Sequence, residues 1–279
     1  EGPQMLHTSR LLSYAHAIQA NQGKRALLEP QAEQLGMDRE ESVRVLDTLH
    51  TLGVAEGWQL VGRKMILGES IATSEAVQLP RLGYLYQHSV LHAEDNATAI
   101  KLRGTKPLMV EPTLVFGLGS TPEPGEGLQT FLQRFDSVAL ALEILQNPFK
   151  SERWVDADKV CANGFHSHLV MGEAKTLSQK SRTVFDQLVS NATMTLNVVE
   201  RQGAQIVGFG MGRDRLDKSL QHAYALHQRH IELTSESPFV AGQCLAIGGW
   251  LPAAPMCSGQ EWVAVVSGID LPSLRVAIE

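Results

Sequence analysis

The sequence is poor in cysteine, has no excess of basic residues and contains no long apolar run. Its 279 residues include three cysteines, Cys161, Cys244 and Cys257, which form no CxxC pair. This spacing excludes a disulfide-rich scaffold and a zinc ribbon, and it predicts a protein of the reducing cytoplasm. The formal net charge of −6 argues against a general nucleic-acid-binding protein. Since an apolar stretch of about 20 residues is lacking, no membrane span is expected.

What is present is the composition of an ordinary globular protein, with 43% hydrophobic and 19% charged residues. The length allows one large domain or two small ones. The segment 28–64 imitates a winged-helix DNA-binding domain, but its second helix would begin with Asp38-Arg39-Glu40-Glu41, whereas a recognition helix should be basic. A DNA-binding regulator is therefore disfavoured.

The apolar spacing predicts an α+β protein. Thr8 or Ser9 is expected to cap a first helix, and Asp38 with Glu41 forms a capping-box pattern for a second helix that ends near Gly53. Many short strands separated by few helices favour a mixed or antiparallel core over repeated βαβ units. The further predicted helices cover 127–134 and 215–232, and the predicted strands cover 60–68, 108–118, 193–200, 206–210, 244–248, 262–266 and 274–278.

Two carboxylates lie inside apolar, strand-like runs, Glu111 in VEPTLVFGLG and Glu143 in ALEIL. An ionised acid in such a position is costly unless it meets a cation or a hydrogen-bond donor. The pair could ligate Mg²⁺ or Mn²⁺, which prefer oxygen donors, if substrate oxygens complete the shell. Alternatively, each acid pairs locally; the pattern favours neither interpretation.

Other candidate residues have a structural alternative. Lys64 in an apolar strand could bind a substrate carboxylate or act as a base, although a strand-end lysine more often extends to water. His166 and His168 flank Ser167 and would share one face of a strand, but an isolated pair of this spacing is more often structural. The glycines of Gly208–Gly212 lack the spacing of a dinucleotide-binding loop, so no nucleotide cofactor is expected.

Taken in order, several segments resemble the 2-keto-4-pentenoate hydratase and 4-oxalocrotonate decarboxylase family of the fumarylacetoacetase-like superfamily. The segment of Lys64 resembles the lysine strand of that family, and VEPT around Glu111 is similar to its Glu-x-Glu metal motif. The other matching segments are 82–85, 141–144, the residues Trp154, Val160, Asn163 and Gly172, and the C-terminal residues Ala241, Gly242, Gly248, Val265, Ser267 and Gly268.

The resemblance implies a fumarylacetoacetase C-terminal-like core of curved, mixed β-sheet (residues 79–279) behind an N-terminal helical arm and first strand (residues 1–78). It also implies a homo-oligomer and a Mg²⁺ or Mn²⁺ ion held by three acids. Such an ion would bind a 2-oxo acid and stabilise an enolate-like intermediate during hydration or decarboxylation.

The sequence differs from the family at positions that the resemblance assigns to metal and substrate binding. Thr113 stands where the family has its second acid, which should weaken metal binding, and the polar residues expected near Asn163 are replaced by Ala162, Phe165 and His166. The resulting hypothesis is a lyase-like enzyme for a 2-oxo acid or related enolisable carbonyl compound. The alternative is a non-catalytic homologue that supports or regulates an active partner. The assigned residues are Lys64, Glu69 and His166 for catalysis, Glu111 and Glu143 for metal, and Thr113, Phe165 and Asn163 for a small-molecule substrate.

Overall fold

The computed structural model describes residues 2–22, 27–67, 80–101, 107–216 and 218–279. In this part of the chain, fourteen strands and eight α-helices form an α+β fold. The helices are α1 (Pro3–Asn21), α2 (Arg39–Ala55), α3 (Leu128–Leu132), α4 (Asp156–Cys161), α5 (Gln179–Thr183), α6 (Phe185–Asn191), α7 (Gly212–Arg215) and α8 (Ser219–Thr234). The strands are β1 (Leu60–Ile66), β2 (Arg81–Tyr86), β3 (Val90–His92), β4 (Ala97–Ile100), β5 (Leu108–Leu118), β6 (Phe135–Leu145), β7 (His166–Met171), β8 (Lys175–Thr176), β9 (Thr193–Glu200), β10 (Gly203–Met211), β11 (Cys244–Ala246), β12 (Ala254–Met256), β13 (Glu261–Ser267) and β14 (Leu274–Ile278).

The strands form two mixed sheets. The larger sheet has the order β2-β1-β11-β5-β6-β7-β3, with β12 also beside β5 and β8 beside β6; the smaller has the order β10-β9-β13-β14-β4. The pairs β1/β11, β3/β7 and β4/β14 are parallel, and the other named pairs are antiparallel. A mixed sheet preceded by helices confirms the predicted fold class.

The antiparallel pair β5/β6 separates two environments. Because side chains alternate along a strand, each strand presents one set of residues to each face. One face enters the main apolar core with Val110, Leu114, Phe116, Leu140, Leu142 and Ile144. On the opposite face, Val115, Ala139 and Ala141 belong to a smaller apolar cluster, and the two carboxylates lie next to it in the same alternation.

The N-terminal helices pack onto the edge of this second face. Tyr14 of α1 and Val45 of α2 share an apolar cluster with Leu145 and Phe165. Asp158 of α4 is fully buried and accepts hydrogen bonds from the Tyr14 hydroxyl (2.7 Å) and, at the same oxygen, from the amides of residues 31 and 32. This carboxylate therefore ties α1 and the segment after it to α4.

The structure corrects several predicted boundaries. The first helix begins at Pro3, five residues before the predicted cap, and Thr8 lies inside it with its hydroxyl donating to the carbonyl of Gln4. The capping box of Asp38 and Glu41 is confirmed. The helix predicted over 215–232 is divided, since Lys218 adopts a left-handed φ of 63° between α7 and α8. The predicted domain boundary lies at the end of 68–79, outside the described residues, so the division stays a prediction.

None of the helices in the described part of the chain combines the length and apolarity needed to cross a bilayer.

Candidate active site

The two carboxylates predicted from the apolar runs are direct cross-strand neighbours. Glu111 of β5 pairs in register with Glu143 of β6. Like charges directly opposite each other in an antiparallel pair are destabilising, so one of them must be neutralised or both must meet cations. The rest of the site supplies that compensation.

Lys64 of β1 provides the nearest cation. Its Nζ lies 2.9 Å from Oε1 and 2.8 Å from Oε2 of Glu143, and the two side chains are 4% and 5% exposed. The lysine therefore does not extend to bulk water, which was the alternative interpretation of its strand position. A buried pair of this kind is stable only with close geometry and further hydrogen bonds.

His166 and Ser89 supply those further bonds. His166 Nδ1 lies 2.8 Å from Oε2 of Glu143, and its Nε2 lies 2.8 Å from the Ser89 hydroxyl. Since an ionised carboxylate only accepts hydrogen bonds, Nδ1–H donates to Glu143. The Ser89 hydroxyl beside Nε2 also donates to the carbonyl of Tyr86 at 3.1 Å. The result is a continuous buried chain from Lys64 through Glu143 and His166 to Ser89.

The two acids are held in opposite states. Burial opposes ionisation of Glu143, but Lys64 and His166 outweigh it and hold the pKa of that carboxyl well below its usual range. Burial, reinforced by the charge of Glu143, raises the pKa of Glu111 to about 7 even though Lys64 acts against this. Burial also lowers the pKa of His166, so its ring is neutral near pH 7. A carboxyl group with a pKa near 7 is suited to move protons at neutral pH.

A cavity of about 620 Å³ opens beside these groups. Lys64 and Glu111 form part of its wall, together with Phe165, Lys159 of α4 and Arg215 of α7. Glu143 and His166, by contrast, are enclosed behind the wall. Lys159 and Arg215 also lower the pKa of Glu111, which shows that their charges reach it. A ligand in the cavity would therefore meet two acids, Glu111 and Glu152, and cationic side chains from three elements.

Two glycines allow this close approach. A Cβ on Gly164 would lie 3.0 Å from Nζ of Lys64, and a Cβ on Gly249 would lie 2.8 Å from Oε2 of Glu111. Gly164 also has a φ of 66°, which glycine adopts without a Cβ penalty. The backbone therefore touches both reactive groups at positions where a larger residue would displace them.

Phe165 carries local backbone strain. Its φ is 64°, a left-handed conformation that costs a non-glycine residue about 1–2 kcal/mol. Its ring packs edge-on against Trp154 at a centroid distance of 5.0 Å, and both residues line the cavity. This packing holds the backbone of Phe165 in its strained conformation and gives the cavity an apolar wall.

The remaining predicted site residues have other surroundings. The Asn163 side chain exchanges two 2.9 Å hydrogen bonds with the backbone of Tyr84, which joins the turn before β7 to β2. Thr113 is 2% exposed, and its hydroxyl donates to the carbonyl of Leu114 at 3.3 Å. His168 lies beside the Ser167 hydroxyl at 2.9 Å rather than beside Glu143. Glu69 lies outside the described residues. The roles assigned to these residues stay predictions.

The donor set does not fit a resident divalent ion in this arrangement. Across the described ranges, no three His, Cys, Asp or Glu side chains are placed to hold a metal. Both oxygens of Glu143 already accept bonds from Lys64 or His166, and Thr113 offers one neutral oxygen. A divalent ion about 4 Å from the ammonium would meet a repulsion of about 8 kcal/mol at an effective dielectric constant of about 20.

Sequence reasoning missed four contributors to the site: Ser89, Lys159, Arg215 and Gly249. Ser89 follows β2 in a short 3-10 turn, and Gly249 follows β11, so each comes to the site from a separate part of the chain. No local motif marks any of them. Only the tertiary fold could have placed them beside Glu111 and Glu143.

Comparison with solved structures identifies the fold. No protein-family model matches the sequence, and no curated protein sequence matches it significantly. The chain is similar to 4-oxalocrotonate decarboxylase from Pseudomonas putida G7 complexed with magnesium and adipate, with a TM-score of 0.79, 16% identity and 98% coverage of each chain. It is also similar to fumarylpyruvate hydrolase from Pseudomonas aeruginosa in complex with Mn²⁺ and pyruvate, with a TM-score of 0.54, 13% identity and coverage of 78% of this chain and 89% of that one. The resemblance predicted from the sequence is confirmed at this level: the chain has the fold of the fumarylacetoacetase-like superfamily.

Proposed function

We propose that the protein is a lyase-like enzyme that acts on a 2-oxo acid or a related enolisable carbonyl compound through an enolate-like intermediate. Hydration and decarboxylation are the two proposed reaction types, and both pass through such an intermediate. The observation that carries the proposal is that Lys64 and Glu111 lie together on the wall of one cavity. The solved structures of the same fold include a decarboxylase and a hydrolase, which supports enzymatic activity.

The chemistry follows from the two groups on the wall. Ionised Glu111 removes the proton from the carbon next to the substrate carbonyl, and the electron pair of that C–H bond becomes the double bond of the enolate. The negative charge then rests on the former carbonyl oxygen, to which the Lys64 ammonium donates a hydrogen bond. Neutral Glu111 holds the proton and returns it to carbon when the intermediate collapses. A pKa of about 7 keeps both states of this carboxyl populated near neutral pH.

The other cavity residues indicate how a substrate would be bound. Arg215 and Lys159 supply positive charge for a carboxylate, and Phe165 with Trp154 offers an apolar surface for the rest of the molecule. We therefore expect an anionic substrate with an apolar portion.

The proposal is tested by proton exchange, which both reaction types share. Pyruvate and 2-oxobutyrate are incubated with the protein in D₂O, and loss of the proton signal next to the carbonyl is followed by NMR. We expect exchange above the protein-free rate, and its loss in Lys64→Met and Glu111→Gln. Lys150→Met is the matched control, because that lysine is 54% exposed and pairs with Glu29 at the surface. Exchange that is equal in Lys64→Met and in the parent would refute the assignment.

Thr113 supports a second candidate, a non-catalytic homologue that stabilises or regulates an active partner. A neutral residue at the position of a second acid is what an abandoned metal site would show. Against this, a buried charge cluster is costly to keep without use. If no 2-oxo acid exchanges and none shifts the melting temperature, the non-catalytic candidate replaces the enzyme.

We also propose that the chain forms a homo-oligomer. Strand β10 contains no charged residue, and Ile206 and Phe209 on it are 71% and 63% exposed. Apolar exposure on a strand next to a single described neighbour, β9, invites pairing with another chain. Light scattering should give more than one subunit, and Phe209→Asp should lower the mass, whereas Leu233→Lys, at an equally exposed position on α8, should not. A monomeric parent protein would refute this.

A further inference from the structure

We propose that Lys64 is the built-in cation of this site, so that a ligand binds there without an added divalent metal ion. The inference rests on the proposed function, because it assigns the group that stabilises the enolate. It goes further in stating that ligand binding needs no added metal. Three features of the site support it.

The first feature is the state of Glu143. Oε1 accepts from the Lys64 ammonium at 2.9 Å, and Oε2 accepts from the same ammonium at 2.8 Å and from His166 at 2.8 Å. This carboxylate is thus engaged by an internal cation and an internal donor. An incoming metal ion would have to displace one of them before it could bind Glu143.

The second feature is the support behind Glu143. The His166 ring is enclosed, with 4% of its side chain exposed, and Ser89 holds its other nitrogen at 2.8 Å. Ser89, whose hydroxyl also donates to the carbonyl of Tyr86 at 3.1 Å, thereby fixes the ring orientation in which Nδ1 faces Glu143. His166 and Ser89 are positioning residues, since they act on the ligand only through Glu143 and Lys64.

The third feature is the surface next to the acid pair on the same face of β5 and β6. Thr113 pairs in register with Ala141, and Val115 pairs with Ala139. Ala139, Ala141 and Val115 belong to the smaller apolar cluster. A third anionic ligand is therefore replaced by a buried hydroxyl that bonds to the chain's own backbone.

The fixed ammonium also explains how a pair of opposed acids is tolerated. Glu143 is neutralised by Lys64, and Glu111 can take up a proton. The inner site is then close to neutral before a ligand binds. The Lys64 ammonium is already in place to stabilise a ligand oxygen that develops negative charge, and no metal ion has to bind first.

The test measures binding of Mn²⁺ and of oxalate, a planar mimic of an enolised 2-oxo acid, to the whole chain. We expect no Mn²⁺ binding below roughly 1 mM, and oxalate binding that EDTA does not change. Lys64→Met should weaken oxalate by about ten- to hundredfold, the usual range for loss of a charged hydrogen bond. The same variant should gain Mn²⁺ affinity, because Glu143 is released. Lys150→Met should match the parent in both titrations.

Ser89→Ala tests the support independently, and it serves if Lys64→Met does not fold. We expect weaker oxalate binding and a changed ¹⁵N signature of the His166 tautomer, which a purely structural role would not alter. The inference is overturned if the parent binds one Mn²⁺ at micromolar concentration and oxalate binds only with it. It is also overturned if neither variant changes oxalate binding. Proton exchange that requires Mn²⁺ would support the proposed function and reject the inference. Oxalate binding without metal, but with no proton exchange, would support the inference and reject the proposed function.

Discussion

The clearest consequence of the opposed acids is a pH-dependent stability that Glu111→Gln should abolish. Burial raises the pKa of Glu111 from 4.5 to about 7. A carboxyl whose pKa is raised by folding contributes stability that is fully present below pH 4.5 and is lost as the pH rises through 7. Between these values the native state binds the proton more tightly than the unfolded chain does.

The magnitude follows from the shift. Each pKa unit corresponds to about 1.4 kcal/mol, so the full shift would be worth on the order of 3 kcal/mol. Glu111 faces the cavity, where water screens part of the interaction, and we reduce the expected change to about 2 kcal/mol. The contribution of Glu143 has the opposite sign and is lost only as the pH falls below 4.5, outside this window.

The assay is urea unfolding of the parent and of Glu111→Gln at several pH values between about 5 and 8. The other titrating groups are common to both proteins and cancel in the difference. The free energy of unfolding of the variant should rise relative to the parent as the pH increases. Glu94→Gln, which removes an exposed carboxylate, should follow the parent. Parallel curves for Glu111→Gln and the parent would show that Glu111 is an ordinary acid and refute the reasoning.

Three further substitutions test the site and its supports. Gly249→Ala should displace the Glu111 carboxyl and slow proton exchange by about tenfold, for a cost in stability below about 1 kcal/mol; an unchanged NMR exchange rate would contradict the close approach. Asp158→Ala should lower the free energy of unfolding by about 3–5 kcal/mol, because Tyr14 and two buried amides lose their acceptor; urea titration measures this, and a loss below about 1 kcal/mol would refute it. Phe165→Ala should cost about 3 kcal/mol, since the ring packing is lost while the Cβ that strains the left-handed turn is kept; a loss below about 1 kcal/mol would show that the ring contributes little to stability.

Apolar runs predicted some of the strands. The bounds of β5, β9 and β14 agree with the prediction, because each contains several β-branched or aromatic residues. Strand β6 was anticipated only as the strand-like run ALEIL and was not among the predicted strands with bounds. Boundaries set by a single backbone conformation were not predictable. The start of α8 depends on the left-handed Lys218, and neither lysine nor its neighbours signal that conformation.

The sequence predicted that buried acids form a candidate site, but it did not predict how the side chains of that site are arranged. Two acids in apolar strands are a strong local signal, and the structure places Glu111 and Glu143 side by side on β5 and β6. Their direct opposition depends on the register across the connection between β5 and β6, which spans residues 119–134 and fixes no register by turn type. The separation of roles, with Glu111 on the cavity wall and Glu143 behind it, depends on Lys64 and His166 arriving from β1 and β7. Those contacts are long-range, and no spacing in the sequence encodes them.

The neutral residue at position 113 is central to how the site functions. A third carboxylate there would place another negative charge on the face that already carries Glu111 and Glu143, and Lys64 could compensate only one of them. Such a site would need a multivalent cation to be stable. With Thr113, the Lys64 ammonium at Glu143 and one proton on Glu111 are sufficient, and the face below the acid pair becomes apolar through Ala141 and Val115. The substitution therefore favours a site whose charge is balanced within the chain, and under our inference of a metal-independent site the protonation of Glu111 is the variable that controls it.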